Sequence, residues 1–341
     1  MAIRLLDGFS RRFMMVNEEH LSRVRIARRP LGQKVIAQAL RLDYLFPKRT
    51  KITLKGVENI PDQGVMFALN HTDRYNYWPF QFELFRSGHS RMTMAWVKAK
   101  YYENKMLGWF FDQCNNLPLP SMGYLILKDA VATLGRKLSD DEYRALRDLV
   151  DFKLEPEAVS PELVSSLGAI LSGARADFNP DVEHYRDYMN RWNDRLMALV
   201  EKRTVEAVFE KENHIIVFPQ GTRSIRLLPA KTGMLEFAFR HNIPIVPVGS
   251  NGCEAIYPGG SPFASGGEVE YRIGKPLTLD GAFSECRVDE AYTPFTRGSK
   301  KFKAQFQKGA EILTHAINEL LDEPYQLGSN TDERSRAERF M

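Results

Sequence analysis

The spacing of apolar residues changes several times along the chain, and each change marks a different kind of element. Over residues 1–50 they recur at intervals of three and four, the period of an amphipathic helix. Residues 51–58, Lys-Ile-Thr-Leu-Lys-Gly-Val-Glu, alternate in polarity and predict an edge strand. Pro61-Asp62-Gln63-Gly64 is turn chemistry. Residues 65–69, Val-Met-Phe-Ala-Leu, contain no polar side chain and read as a buried strand. A helix is expected soon after His71, with Asp73 as its N-cap. Residues 91–97 predict another strand, and 105–112 a short amphipathic helix ahead of a loop over 115–120.

From residue 121 to 212 the pattern turns to long charged helices, such as 140–152 and 181–211, separated at Pro156, Pro161 and Pro180. Strands return at 215–218, 245–248 and 268–273, followed by a helix over 299–321. The pattern predicts an α/β fold, a mixed and mostly parallel sheet flanked by helices. Its α/β core is drawn from residues 51–120 and 213–280, with 281–325 as a C-terminal helical segment. Residues 326–341, rich in Ser, Asp, Glu and Arg, are expected to be disordered.

Composition narrows the class. Hydrophobic residues make up 43% of the 341 and charged ones 26%, ordinary values for a globular chain that buries a substantial core. The longest apolar stretches are about half of what a bilayer crossing requires, so no transmembrane helix is expected. Arg11, Arg12, Glu18 and Glu19 interrupt what would be the apolar centre of a secretory leader. Cys114, Cys253 and Cys286 lack metal-ligand spacing and fit free thiols in a reducing, cytoplasmic compartment.

The net charge of +4 is unevenly placed. Residues 1–50 carry eleven Lys and Arg against four acids, +7, which leaves −3 for the remainder. Such a leader, interleaved with Ile3, Leu5, Leu6, Phe9, Phe13, Met14 and Met15, suits either an anionic membrane surface or a solvated helix packed by its apolar side. Nucleic acid is not expected as a partner, because the cations are not arranged around stacking aromatics.

Chemistry concentrates where two buried strands end. The first runs into Asn70-His71-Thr72-Asp73-Arg74-Tyr75-Asn76, and the second into Phe218-Pro219-Gln220-Gly221-Thr222-Arg223-Ser224. Loops at strand ends are where open α/β sheets place ligands. His71 offers an imidazole suited to proton transfer near neutral pH. Arg223 offers a guanidinium that pairs with two phosphate oxygens at once. Gly221 permits close backbone approach, and Thr222 and Ser224 supply hydroxyl donors. Lys231 and Arg74 are further candidate cations for an anionic head group. The aromatic run Tyr75, Tyr77, Trp78, Phe80, Phe82 and Phe85 serves either as core or as the wall of an acyl tunnel, core being the commoner use. No metal or bound cofactor is expected.

These segments resemble the glycerophospholipid acyltransferase family, the lysophosphatidic acid and glycerol-3-phosphate acyltransferases. Its signature is His-x4-Asp, then Phe-Pro-Glu-Gly-Thr-Arg-Ser, then a Val-Pro-Val-type strand end. This chain has Ile243-Pro244-Ile245-Val246-Pro247-Val248-Gly249 at the third place and Lys231-Thr232-Gly233 between the second and third. The likeness spans roughly residues 50–280 and implies that 121–212 is an inserted helical subdomain. It implies acyl transfer from acyl-CoA or acyl carrier protein to a phosphorylated glycerolipid, with His71 as base.

Two departures are sharp. Asn76 stands where the family has Asp, and Gln220 where it has Glu. Asn76 can orient the imidazole but supplies no charge, and Asp73 is the alternative carboxylate. The resemblance assigns the residue before Gly221 to the glycerol part of the acceptor, so Gln220 points to a changed acceptor. Near Gly108-Trp109-Phe110-Phe111-Asp112 a further family block is only partly present, lacking its Arg. Two other readings stay open: a catalytically silent, lipid-binding or scaffolding subunit, and an acyltransferase acting on an amine or small metabolite. The first reading requires that the two distant loops meet over one cleft.

Overall fold

The computed structural model describes residues 16–328, Ala176 excepted. The apolar positions noted over residues 1–15, and residues 329–341 of the expected disordered tail, lie outside the described residues. Residues 326–328, assigned to that tail, have defined positions, and Leu327 N donates to Asn318 Oδ1 at 2.7 Å.

The strands are β1 (Thr50–Lys55), β2 (Met66–Leu69), β3 (Thr93–Lys98), β4 (Asn116–Leu119), β5 (His214–Val217), β6 (Ile245–Asn251) and β7 (Gly267–Ile273). They form one seven-stranded sheet in the order β1-β7-β6-β2-β5-β3-β4. The pairs β1–β7, β2–β6, β2–β5 and β3–β5 are parallel, while β6–β7 is antiparallel. The fold is therefore α/β with a mixed, mostly parallel sheet. β2 sits at its centre, every residue buried, which explains a run with no polar alternation.

The helices in chain order are α1 (Glu18–Arg23), α2 (Leu31–Asp43), α3 (Tyr77–Arg86), α4 (Lys105–Gln113), α5 (Met122–Leu134), α6 (Asp140–Val150), α7 (Pro161–Ser172), α8 (Tyr185–Val205), α9 (Gly233–His241), α10 (Cys253–Ile256) and α11 (Lys303–Asn318). Two expectations change. The loop predicted over 115–120 contains strand β4, which lies at one end of the sheet order, where Pro118 is tolerated despite lacking an N–H. Helix α3 begins at Tyr77 rather than just after Asp73, and its N-cap Asn76 makes no side-chain capping bond. Asp73 instead closes a turn ahead of the helix, Oδ1 accepting from Tyr75 N at 2.7 Å.

The described residues divide into two compact units. One holds residues through Val24, Val97–Asp112 and Leu117–Val200; the other holds Arg25–Trp96, Gln113–Asn116 and Glu201 onward. In the first, α5, α6 and α7 pack on one another. Helix α6 opens with a capping box between Ser139 and Glu142, and a left-handed Phe152 stands just beyond its end. The buried Asp129 carboxylate pairs with Arg175 at 3.0 Å, and that guanidinium lies over the Phe178 ring. In the second unit, Phe67, Leu69, Phe80, Val246, Val248 and Tyr271 belong to one continuous core. Both candidate loops belong to this second unit.

Candidate active site

Strand pairing brings the loops together. β2 and β5 are parallel neighbours with Ala68 opposite Val217, so their C-terminal ends emerge side by side. Neighbouring strands lie about 4.8 Å apart, which sets Asn70-His71 next to Phe218-Pro219. The His71 ring stacks on Phe218, with centroids 4.1 Å apart. The His71 carbonyl accepts from Ser224 N at 2.8 Å and from Gln220 Nε2 at 3.4 Å. Gln220 Nε2 also donates to the Thr222 carbonyl at 2.9 Å.

The second loop is shaped by Gly221, whose φ of 69° lies in the left-handed region. A Cβ built there would stand 3.1 Å from Lys231 Nζ, so that ammonium is drawn over the loop. Lys231 N bonds to the Pro219 carbonyl at 2.8 Å, which fixes where its side chain starts. Arg223 and Arg74 are exposed to solvent, while Thr222 and Ser224 are half-buried.

The first loop is pinned from behind. Asn70 is buried and bridges to β6, Nδ2 donating to the Ser250 carbonyl at 3.0 Å and Oδ1 accepting from Ser250 N at 2.7 Å. Asn76 Nδ2 donates to the Asn70 carbonyl at 2.7 Å. Tyr271 donates its hydroxyl proton to the Asn76 carbonyl at 2.5 Å. Asn76 Oδ1 is buried and accepts no hydrogen bond among the described residues, so the expected hydrogen bond from the imidazole to this oxygen is not formed.

Asp73 faces a different set of groups. Its carboxylate accepts from Thr72 Oγ1 at 3.0 Å and Tyr75 N at 2.7 Å, and the Cys253 thiol hydrogen-bonds it as well. Burial pushes the Asp73 carboxyl above the usual carboxylate range, against the lowering effect of those donors. Burial, reinforced by the Asp73 charge, likewise pushes the Cys253 thiol well up, so it stays protonated and able to donate. Sequence reasoning did not single out Asn70, Cys253 or Tyr271. Asn70 and Cys253 stand just beyond the ends of β2 and β6, and Tyr271 lies within β7; the contacts that give them roles are long-range.

Residues 108–112 lie on α4 in the first unit, where burial raises the Asp112 carboxyl to about 6. Among the described residues, no group of three or more His, Cys, Asp or Glu is placed to hold a metal ion.

The main chain of His71 is thus bonded to the glycine-turned loop that carries Arg223. Residues 186–251 match the protein family described as Acyltransferase. That acyltransferase-like segment runs from α8 through the 220–224 loop to the end of β6. Two plant proteins named 1-acyl-sn-glycerol-3-phosphate acyltransferase, from Limnanthes douglasii and Limnanthes alba, are each 45% identical over 49 residues. Each alignment covers 14% of this chain, which spans only 17% of the length of these curated relatives. Among solved structures, the 1-acyl-sn-glycerophosphate (LPA) acyltransferase PlsC from Thermotoga maritima aligns over 91% of this chain and 88% of its own, at 16% identity and a TM-score of 0.39.

Proposed function

We propose that the protein moves a fatty acyl chain from acyl-CoA or acyl carrier protein to a hydroxyl of a lysophospholipid or glycerol-phosphate-like acceptor. The observation that carries this reading is the junction at His71, whose carbonyl is bonded by the very loop that bears Arg223. His71 takes the proton as the acceptor oxygen attacks the thioester carbonyl, and the thiolate leaves when the tetrahedral intermediate collapses. Gly221, Thr222 and Arg223, with Lys231 beside them and Arg74 exposed on the first loop, hold the acceptor's phosphate and so fix the attacking hydroxyl. Asp73, buried and bonded to Thr72 Oγ1 and Tyr75 N, holds the shape of the first loop.

The acceptor's source is a membrane surface, on the inner, anionic face. Supporting this, α2 turns Gln33, Ala37 and Leu40 inward yet exposes Leu31, Val35 and Leu42 on its other side, by 61–69%. Phe46 and Phe263, each 72% exposed, extend that apolar strip; Ala264 N donates to Asp43 Oδ2, tying the Phe263 loop to the end of α2. Exposed Lys34, Arg41, Lys48 and Arg49 flank it. Apolar side chains edged by cations suit the headgroup boundary of an anionic bilayer. No helix among the described residues is long and apolar enough to cross one.

The test is transfer of radiolabelled palmitate from palmitoyl-CoA to lysophosphatidic acid in vesicles. His71→Ala should abolish it, and turnover at the wild-type level in that variant removes the mechanism. A second reading, a silent lipid-binding subunit, is favoured by one observation: Asn76 is occupied with the backbone and offers the ring no charge. Lysophosphatidic acid binding without turnover would select it.

A further inference from the structure

We propose that Asn76 and Gln220 act as clasps on the His71 loop, positioning residues whose amide N–H is the required group, so that the corresponding acids would loosen the site rather than improve it. The kinetic part of this inference rests on the acyl-transfer reading; the structural part does not. Asn76 has no exposed surface, and its Nδ2 closes the span from Asn70 to Asn76 by donating to a backbone carbonyl. Gln220, 2% exposed, donates to the carbonyls of Thr222 and His71, joining the second loop to the first. Every acceptor here is a carbonyl oxygen with no proton to give. Reversing either amide would set oxygen against oxygen, so geometry alone decides which end faces the backbone. An ionised carboxylate would face the same oxygens, buried and without a donor.

The second atom of each amide supports this assignment. Asn76 Oδ1 and Gln220 Oε1 are buried and accept nothing among the described residues, so the standing contacts of both side chains are made as donors. Two sites, in separate loops, carry an amide where the family resemblance implies an acid, and both use the nitrogen in the same way. Their shared target is the main chain on either side of the imidazole, the Asn70 carbonyl before it and the His71 carbonyl itself.

The full-length protein and its N76D and Q220E variants are compared by hydrogen–deuterium exchange at about pH 7.5 and about pH 5, each against wild type at the same pH. At the higher pH, N76D should speed exchange in residues 70–76 about tenfold, and Q220E should speed it in both 70–76 and 218–224. The excess should shrink at the lower pH, where a protonated carboxyl regains a donor. In palmitoyl transfer to lysophosphatidic acid, N76D should lower kcat with the acceptor KM little changed. Wild-type exchange in both variants at the higher pH, or a kcat above wild type in either, overturns the proposal. If N76D unfolds at neutral pH and refolds on acidification, the clasp stands; unfolding at both, with Q220E unchanged, counts against it. A wild-type protein that transfers no acyl chain defeats the acyl-transfer reading alone, because exchange still decides the clasps.

Discussion

The imidazole of His71 lies almost flat on the ring of Phe218, with centroids 4.1 Å apart and planes 15° from parallel. One side chain follows β2 and the other follows β5, so the stack forms only while those strands keep their register. Stacking acts on the faces of the imidazole and does not engage the nitrogens in its plane.

Phe218→Ala should therefore lower kcat by roughly tenfold, since such ring pairs contribute about 0.5–1.5 kcal/mol beyond area burial. Phe218→Tyr, which keeps the ring, should lose far less. Steady-state kinetics check both, and an Ala variant with unchanged kcat would mean that the stack does not hold the base.

Arg223→Ala should act on binding instead. A charge-assisted contact is worth about 1.5–3 kcal/mol, so the acceptor KM should rise roughly 10- to 100-fold with kcat nearly constant. Arg223→Lys keeps the charge without the paired donors and should fall between. A phosphate-free acceptor that is equally sensitive to both variants would rule out a phosphate role.

Gly221→Ala tests the turn that carries this loop. A side chain at a φ of 69° costs about 1–2 kcal/mol, and the new methyl would press on Lys231 Nζ. We expect a lower Tm together with a raised acceptor KM; a variant as stable as wild type would show that the left-handed turn is not required.

The pH dependence of stability should follow His214. It is buried in β5, its Nδ1 accepts from Val65 N, and its Nε2 lies 2.7 Å from His89 Nε2. Burial first, then the charges of His89 and Arg91, lower its folded-state value to about 3. The unfolded chain binds a proton below about pH 6.5 that the folded chain refuses, so stability is full above that pH and is lost progressively as the pH falls toward about 3. The loss should reach about 2 kcal/mol by about pH 5. His214→Gln should flatten this acid limb in thermal melts at a series of pH values, and an unchanged slope would acquit His214.

The proposed membrane docking is separable from the proposed chemistry. Replacing Leu42 and Phe46 together by Glu should weaken co-sedimentation with phosphatidylglycerol-rich vesicles by roughly tenfold or more, each deep apolar contact being worth about 1.5 kcal/mol or more. Added salt should weaken the wild-type protein further, because the flanking cations contribute through screened attraction. Binding that ignores both would place the contact elsewhere.

Much of the fold was legible because buried parallel strands write themselves as unbroken apolar runs. Residues 65–69, 215–218 and 245–248 each mark a central strand, and their order along the sheet explains why the loops after β2 and β5 meet. β4 was not legible, since Asn116-Leu117-Pro118-Leu119 carries the residues of a loop and becomes a strand only through its place beside β3 at the end of the sheet. Nor could Asp73 be placed: its capping chemistry was evident, but the helix starts later, and the carboxylate turns toward Cys253, far along the chain. Asn76 reads as a partner of the ring in sequence because spacing says nothing about which end of an amide meets a carbonyl.

β1 borders the sheet, and Lys51 and Lys55 on it reach across to Glu268 and Glu270 of β7. A second copy attempting to add its own strand to this margin would bring lysine against lysine and disturb both ion pairs. Growth of the sheet from chain to chain is thereby discouraged at that border, and exchanging both lysines for threonine should make concentrated solutions prone to fibrils.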